Sequence, residues 1–232
     1  MKKWESLPDD LKHDSVKQYY DNVSDKKCYL LGKRLFDILI SLILSVVLLP
    51  VLMILCIVII KDSRGGAFFL QERVTRYGRV FKIIKFRTMS VIQVKDSAQV
   101  TAMNDCRITK AGVWLRKYRL DELPQLFNIL KGDMTFVGTR PEVPKYVSCY
   151  TDEMRATLLM RAGVTSKASI CFKDEDSILA GKGDIDKAYA EEILPQKMRY
   201  NLEYLKECSA MMDIKLMLAT LKAVVRKDTE NG

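Results

Sequence analysis

Two adjacent carboxylates, Asp121 and Glu122, are the side chains of this sequence whose setting best suits catalysis. They lie between a basic segment containing Arg116 and Arg119 and an amphipathic run that ends at Gly132. This pattern predicts a helix with acids in its first turn and a glycine at its end. The chemistry to consider is therefore that of carboxylates close to positive charge.

Two interpretations of these acids remain open from the pattern alone. The first is helix capping, because free N–H groups and the macrodipole make the start of a helix electropositive. Caps of this kind are common, which favours the first interpretation. The second is nucleophilic attack on phosphorus by one carboxylate beside a metal ion, because the start of a helix also binds phosphate.

The composition excludes several other kinds of catalytic site. The 232 residues include one histidine, His13, so a histidine-dependent triad or a histidine-rich metal site is not expected. The six cysteines have no CxxC spacing, which predicts reduced thiols and neither a disulfide framework nor a zinc site. There is no GxxxxGK[ST] or GxGxxG motif. The net charge of +9 suits anionic lipid, nucleic acid or phosphorylated substrates without distinguishing them.

An uncharged apolar stretch at residues 38–60 is long enough to cross a bilayer. Pro50 lies near its middle, where it removes a backbone hydrogen bond and kinks a helix. Basic residues flank both ends, which favours placing both ends on the cytoplasmic side. A re-entrant helix broken at Pro50 satisfies both features, and an ordinary spanning helix with a tolerated proline remains the alternative.

The remaining elements follow from local patterns. Residues 67–89 predict a β-hairpin that turns at residues 76–79. A short helix is predicted at 109–118, a polar loop at 90–108 and helical structure at 189–226, packed on the domain or in the lipid interface. The polar residues 1–32 predict a mobile or weakly helical extension. Two acidic pairs, Asp174/Asp176 and Asp184/Asp186, suit a metal–nucleotide complex, although short acidic loops usually face water.

Several blocks of this sequence together resemble the bacterial sugar transferases, which are monotopic phosphoglycosyl transferases. The resemblance covers residues 33–226, and its most specific part is DELPQLFNILKGDM. The blocks are KRLFD at 33–37, QERV at 71–74, FKIIKFRTM at 81–89, RLDELPQLFNILKGDMTFVGTRP at 119–141 and DIKL at 213–216.

The resemblance implies transfer of a sugar-1-phosphate from a nucleotide diphosphate sugar, expected to be a UDP-sugar, to polyprenyl phosphate, expected to be undecaprenyl phosphate. This reaction begins the synthesis of a bacterial surface glycan: exopolysaccharide, capsule, O-antigen or glycoprotein glycan. Asp121 is then the nucleophile that forms a phospho-aspartate, and Asp121 and Glu122 hold Mg²⁺. The implied substrate-binding residues are Lys85, Arg87, Arg116 and Arg140.

The implied fold is α+β and mainly helical, with a re-entrant membrane helix kinked at Pro50, a small antiparallel hairpin, helices around the Asp-Glu dyad and a C-terminal interfacial helix. The implied location is the bacterial cytoplasmic (inner) membrane, with the catalytic domain on the cytoplasmic face against inner-leaflet phospholipid. No nucleic acid partner is expected, and a homodimer is left open. The expected divisions are a polar extension at 1–32, the membrane helix at 33–61, the catalytic domain at 62–226 and a tail at 227–232.

The chain departs from the family pattern at four places while keeping the dyad. Leu49 stands where a serine commonly precedes the proline of the membrane helix, and Thr139 replaces the first proline of the usual Gly-Pro-Arg-Pro. Residues 162–167 read AGVTSK where Pro-Gly-Ile-Thr-Gly-Trp is common, and Asn201 stands in place of an acid. Two alternative functions remain. One is a metal-dependent glycosyltransferase that uses Asp174 and Asp176 without a covalent intermediate, and the other is a non-enzymatic basic protein that binds membrane surfaces.

Overall fold

The computed structural model describes residues 1–90, 107–172, 175–179 and 184–226. The predicted loop at 90–108 lies mostly outside these residues, as do Asp174 and the predicted tail at 227–232. The cysteines of the described residues form no disulfide in the structure, and the reduced state of their thiols stays a prediction: Cys28, Cys56, Cys149, Cys171 and Cys208.

The described chain is mainly helical and contains two small sheets, which confirms a mainly helical fold with a small antiparallel hairpin. The helices are α1 Asp14–Asp25, α2 Lys27–Val47, α3 Leu49–Asp62, α4 Lys110–Lys117, α5 Gln125–Lys131, α6 Pro144–Val147, α7 Lys167–Cys171, α8 Glu175–Leu179, α9 Ile185–Ala188, α10 Leu194–Glu207 and α11 Ala210–Arg226. The strands are β1 Phe68–Val74, β2 Val80–Phe86, β3 Met134–Val137 and β4 Ala162–Thr165. The β3–β4 pair is parallel and was not predicted.

The predicted hairpin is present, and α5 holds it in place. Strands β1 and β2 pair antiparallel across a turn in which Tyr77 and Gly78 have φ of 61° and 74°. The Asn128 side chain of α5 accepts a hydrogen bond from the Ile84 N–H (2.9 Å) and donates one to the Lys82 carbonyl (2.9 Å). These two bonds fix the position of β2 relative to α5, and therefore of the residues that β2 carries.

The apolar stretch forms two helices, α2 and α3, that meet at Leu48. Within the described residues, no individual helix combines the length and the apolar composition needed to cross a membrane, whereas α2 and α3 do so together, with a bend of 61° between them. Pro50 lies in the first turn of α3, where its missing N–H is not required.

Both helices of this pair are attached to the rest of the protein. Arg34 of α2 donates hydrogen bonds to the carbonyls of Ile129 (2.7 Å) and Leu130 (3.0 Å) near the end of α5, where a cation interacts favourably with the helix dipole. The buried face of α3 packs against Phe86 of β2 and Leu115 of α4. Leu48 at the bend packs against the same apolar cluster as Leu120 and Leu123, so the bend lies close to Asp121 and Glu122.

The expectation that residues 1–32 form a mobile or weakly helical extension is wrong for α1. Val16, Tyr19 and Val23 of this helix are buried in the main core. The Asn22 side-chain amide donates to the carbonyls of Leu205 (2.7 Å) and Lys206 (2.8 Å) at the end of α10, whose last carbonyls lack partners within the helix. The helix is ordered because its apolar face is buried against the rest of the fold. The mostly polar composition of residues 1–32 obscured this face in the sequence.

The β3–β4 pair depends on a close approach of Gly138 and Gly163, and this gives a stability prediction. A Cβ atom on Gly163 would lie 2.2 Å from the Gly138 nitrogen. Gly163→Ala is therefore expected to lower the free energy of unfolding by about 1–3 kcal/mol through overpacking. Gly66→Ala is the matched control, because a Cβ there has no atom within 4 Å. Thermal unfolding in detergent measures both variants, and equal midpoints would contradict the packing role of Gly163.

Candidate functional site

Asp121 and Glu122 lie in a short 3-10 turn, Leu120–Glu122, between α4 and α5. This differs from the predicted position in the first turn of a helix, because α5 begins only at Gln125, after Pro124. Neither acid caps α5, whose N-cap residue makes no side-chain hydrogen bond. The turn follows Arg119, whose φ of 57° lies in the left-handed region that L-residues rarely adopt. The arrangement does not support the capping interpretation.

Glu122 is surrounded by positive charge. Arg140 binds its carboxylate with both terminal nitrogens, one of them 3.2 Å from Oε2. The Lys85 Nζ lies 3.5 Å from Oε1, and Arg119 Nη1 lies 3.8 Å from the same oxygen. Burial opposes ionisation of Glu122, but the charges of Arg140 and Lys85 outweigh it and hold the pKa of Glu122 well below its usual range. Glu122 is therefore a fixed negative charge.

Asp121 is in the opposite electrostatic state. Its residue is only 8 % exposed, and burial together with the charge of Glu122 raises the pKa of Asp121, despite the opposing charges of Lys85 and Arg116. Among the residues that the structure describes, the Asp121 carboxylate makes no hydrogen bond. A desolvated carboxylate without a partner is more basic and more nucleophilic than one that accepts several hydrogen bonds.

The cations around the dyad come from separate elements. Lys85 lies on β2, and burial lowers its pKa although the charge of Glu122 opposes that shift. Arg140 follows β3 and also donates to the Val164 carbonyl of β4 (3.3 Å), so the parallel pair helps to fix it. The charge of Glu122 raises the pKa of Arg140 further above its ordinary value. Both residues were predicted from the resemblance, and the structure brings both to Glu122.

The other two predicted substrate-binding residues are used differently. Arg116, on α4, donates from Nε to the Thr88 hydroxyl (2.9 Å), and its charge acts on Asp121. Arg87 is 6 % exposed and donates to the carbonyls of Ser63 (2.7 Å) and Arg64 (2.8 Å) just beyond α3. In this structure Arg87 therefore holds the end of α3, and its role in substrate binding stays a prediction.

A buried network next to Arg140 was missed by the sequence analysis. Glu142 accepts a hydrogen bond from the Tyr189 hydroxyl (2.6 Å) and lies 3.4 Å from the Lys197 ammonium. Burial opposes ionisation of Glu142, but Lys197 and Arg73 lower its pKa. Arg73 also donates to the Pro141 carbonyl (3.1 Å). The network fixes residues 140–142 against β1. In the sequence, the one feature that could have indicated this network is the acidic residue Glu142 directly after Arg140–Pro141.

A cavity of about 330 Å³ opens beside the dyad turn. Its walls come from α2, α4, α5, β3, β4, α7 and α11 as well as from the turn itself. They are mostly apolar, and Glu122 and Gln125 lie among the polar lining residues. The site thus has a charged part around Glu122 and an adjoining apolar space.

The donor set is compatible with Mg²⁺ bound together with a substrate. No group of three or more acidic, histidine or cysteine side chains suited to a metal occurs in the described part of the chain. Mg²⁺ is commonly held by one or two carboxylates with substrate phosphates and water as its other ligands. Asp121 and Glu122 are adjacent carboxylates, and Asp121 has an unused carboxylate. The residues fit such an ion, whose presence stays a prediction.

Sequence comparison with known proteins identifies relatives of this chain. Residues 28–227 match the family described as bacterial sugar transferase. The chain is 33% identical over 200 residues to an undecaprenyl-phosphate glucose phosphotransferase of Komagataeibacter xylinus, covering 83% of this chain and 36% of the relative. It is 31% identical over 192 residues to a UDP-glucose:undecaprenyl-phosphate glucose-1-phosphate transferase of Klebsiella pneumoniae, covering 82% and 39%.

A third relative is closer in length. This Bacillus subtilis protein, provisionally named an undecaprenyl-phosphate N-acetylgalactosaminyl 1-phosphate transferase, is 39% identical over 142 residues, which cover 60% of this chain and 79% of the relative. The chain thus spans under half the length of the first two relatives and most of the third.

Proposed function

Because this chain belongs to the bacterial sugar transferase family, we propose that it transfers a sugar-1-phosphate from a UDP-sugar to undecaprenyl phosphate. The name of the K. pneumoniae relative supports both the UDP-sugar donor and the acceptor, and the name of the K. xylinus relative supports the acceptor. The observation that carries the proposal is the contrast within the dyad. Glu122 is engaged by Arg140 and Lys85, whereas Asp121 has no hydrogen-bond partner among the described residues.

In the proposed first step, a carboxylate oxygen of Asp121 attacks the phosphorus that carries the sugar. A new bond forms between oxygen and phosphorus, and the bond to the bridging oxygen of the nucleotide breaks. The electron pair leaves with the nucleoside monophosphate. Lys85 and Arg140 place positive charge where negative charge gathers, which stabilises the transition state.

In the second step, a phosphate oxygen of undecaprenyl phosphate attacks the phosphorus of the aspartyl intermediate. The bond between phosphorus and Asp121 breaks, and the carboxylate is regenerated. The product is the lipid diphosphate sugar, the starting unit of a surface glycan. Burial of Asp121 limits the access of water, which would otherwise hydrolyse the intermediate.

The proposed cofactor is Mg²⁺, held by Asp121 and Glu122 together with the diphosphate. Such an ion offsets the repulsion between a carboxylate and an anionic diphosphate and stabilises the leaving group. Arg140 and Lys85 supply the protein's own share of this positive charge.

We further propose that α2 and α3 enter and leave one leaflet of the cytoplasmic membrane. Many large apolar side chains of this pair are exposed, including Leu39, Val46 and Ile54. Helix α11 exposes Met211, Ile214, Leu218 and Leu221, which suits an interfacial helix against the phospholipid. This placement brings the dyad to the cytoplasmic surface, where a lipid phosphate and a soluble nucleotide sugar meet.

The proposed function predicts UMP release and a lipid-linked sugar from purified protein in phospholipid vesicles that contain undecaprenyl phosphate and Mg²⁺. A panel of UDP-sugars identifies the donor by chromatography of both products. Lys85→Met is expected to lower kcat/KM for that donor by about 10–100-fold, because a charge close to the diphosphate is lost. An unchanged value in Lys85→Met would contradict the role of this cation.

The same assay distinguishes the alternatives. A glycosyltransferase without a covalent intermediate would lose activity in Asp174→Asn/Asp176→Asn and keep it in Asp121→Asn. A basic protein that only binds membranes would show salt-sensitive, metal-independent binding to anionic vesicles and no UMP release with any sugar. Either result would overturn the proposed function.

A further inference from the structure

We propose that the cavity beside the dyad holds the first isoprene units of the lipid acceptor, and that the Gln125 side chain pairs with the acceptor's phosphate group. This inference rests on the proposed function and adds to it the place where the acceptor binds. It also gives Gln125 a positioning role in the second step alone.

The first support is the composition of the cavity. Its volume of about 330 Å³ lies at the lower end of the range for ligand pockets. A nucleotide sugar is polar over its whole length and is poorly matched to apolar walls, whereas an isoprenoid chain matches them. The apolar lining residues are Leu44, Leu48, Leu123, Leu126, Ile129, Phe136, Val164, Ile170, Leu221 and Ala223.

The second support is the position of the cavity. Leu44 and Leu48 belong to the end of α2 and the bend to α3, the part proposed to enter the membrane. Glu122 lines the same cavity and adjoins the nucleophile Asp121 in sequence. The acceptor's hydrocarbon comes from the bilayer, and its phosphate must reach the phosphorus on Asp121. A space that borders both the bend and the dyad turn meets both requirements.

The third support is Gln125 itself. Its residue is 1% exposed, and neither Nε2 nor Oε1 has a hydrogen-bond partner among the described residues. Buried amides are nearly always hydrogen-bonded, so an unpaired one that lines a cavity indicates a ligand with polar atoms. By contrast, Thr165 and Thr220 of the same lining are paired with each other through their hydroxyls (2.5 Å).

The pairing follows from the chemistry of each group. The Gln125 amide nitrogen donates to an unprotonated phosphate oxygen, and the amide oxygen accepts from a phosphate hydroxyl or a water molecule. Arg116 and Arg119 also line the cavity and supply positive charge for a phosphate group. The acceptor is therefore held with its phosphate against Gln125 and the arginines and its hydrocarbon along the apolar walls.

The test measures the two half-reactions separately. UMP release and the sugar-phosphate adduct, measured without a lipid acceptor, report the first step, and decay of the adduct on adding undecaprenyl phosphate reports the second. Gln125→Leu is expected to leave adduct formation within about twofold and to lower kcat/KM for undecaprenyl phosphate by about 10–100-fold. Gln125→Asn tests whether a shorter amide restores part of the loss.

A second variant tests the hydrocarbon site without changing a polar group. Ala223→Leu adds bulk to the wall formed by α11 and is expected to raise KM for undecaprenyl phosphate at least fivefold, with KM for the UDP-sugar unchanged. Thermal unfolding verifies that each variant is folded.

Two results would overturn the inference: equal losses in both half-reactions, or acceptor kinetics unchanged in both Gln125→Leu and Ala223→Leu. Failure of the proposed function looks different, because the wild-type protein itself would then form neither adduct nor lipid-linked sugar with any UDP-sugar in the panel.

Discussion

Asp121→Asn is expected to lower sugar-phosphate transfer by about 10⁴-fold or more, because an amide cannot form the aspartyl phosphate. The substitution changes the side-chain volume little, so binding of the donor should persist. The rate of UMP release with a saturating UDP-sugar and undecaprenyl phosphate measures the effect. Residual activity within tenfold of the wild type would exclude Asp121 as the nucleophile.

The same variant is not expected to lose stability. Burial and the neighbouring Glu122 raise the pKa of Asp121, so folding disfavours its charged form at neutral pH. A neutral asparagine removes that penalty, and the thermal midpoint of Asp121→Asn at pH 7 should be equal to or above that of the wild type. If Asp121→Asn is inactive but at least as stable as the wild type, Asp121 has a chemical role and not a structural one. Active-site residues often lower stability in exchange for activity, which is the pattern expected here.

Arg140→Gln is expected to lower kcat by about 10²–10³-fold, because it removes the cation that binds Glu122 and that we propose stabilises the charge on the substrate phosphates. Arg199→Gln on α10 is the matched control, since the Arg199 side chain is 83% exposed and lies 3.9 Å from Glu203. Steady-state kinetics of the two variants compare loss of the same charge at the site and at the surface. Similar kcat values for Arg140→Gln and the control would contradict the role assigned to Arg140.

Arg140→Gln should also move the acid limb of the pH–rate profile. In the wild type the pKa of Glu122 is depressed, so its charge and its contribution to stability persist as the pH falls below the ordinary glutamate range. Burial raises the pKa of Glu122, and without Arg140 only the charges of Lys85 and Arg119 oppose this effect, so the pKa of Glu122 rises. Activity and stability should then be lost at a higher pH on acidification. Coincident acid limbs for the two proteins would contradict this coupling.

The sequence predicted the locally determined elements well. The hairpin follows from β-prone segments on either side of a turn in which Gly78 readily adopts positive φ. Helix α4 begins where Thr109 accepts a hydrogen bond from the Gly112 N–H (3.0 Å), a cap of the expected kind. These features depend on residues close in the chain, which is why pattern and propensity were sufficient.

Features that depend on distant contacts were missed. The left-handed conformation of Arg119 separates α4 from the dyad turn, and no residue-type preference indicates it. The strands β3 and β4 have four residues each, and their pairing brings Gly163 so close to Gly138 that a Cβ atom on Gly163 would lie 2.2 Å from the Gly138 nitrogen. The buried face of α1 was present in the spacing of Val16, Tyr19 and Val23 but was obscured by a polar composition.

In the candidate site, too, local features could be predicted from the sequence and features that depend on distant contacts could not. Asp121 and Glu122 were singled out by their position between a basic segment and an amphipathic run, but their chemistry could not be chosen from spacing and was implied only by the resemblance. The convergence of Lys85 and Arg140 on Glu122 joins β2 to the segment after β3 and is visible only in the folded chain. The unpaired amide of Gln125 is likewise a property of packing, because nothing in the sequence marks that side chain as lacking a partner.

The central claim is a covalent sugar-phosphate on Asp121, and mass spectrometry of the protein after incubation with Mg²⁺ and a panel of UDP-sugars, without lipid acceptor, tests it most directly. The predicted result is a sugar-phosphate adduct on the peptide that contains Asp121, absent from Asp121→Asn and lost when undecaprenyl phosphate is added. The contradicting result is no adduct with any donor while lipid-linked sugar still forms once undecaprenyl phosphate is supplied, which would establish direct transfer.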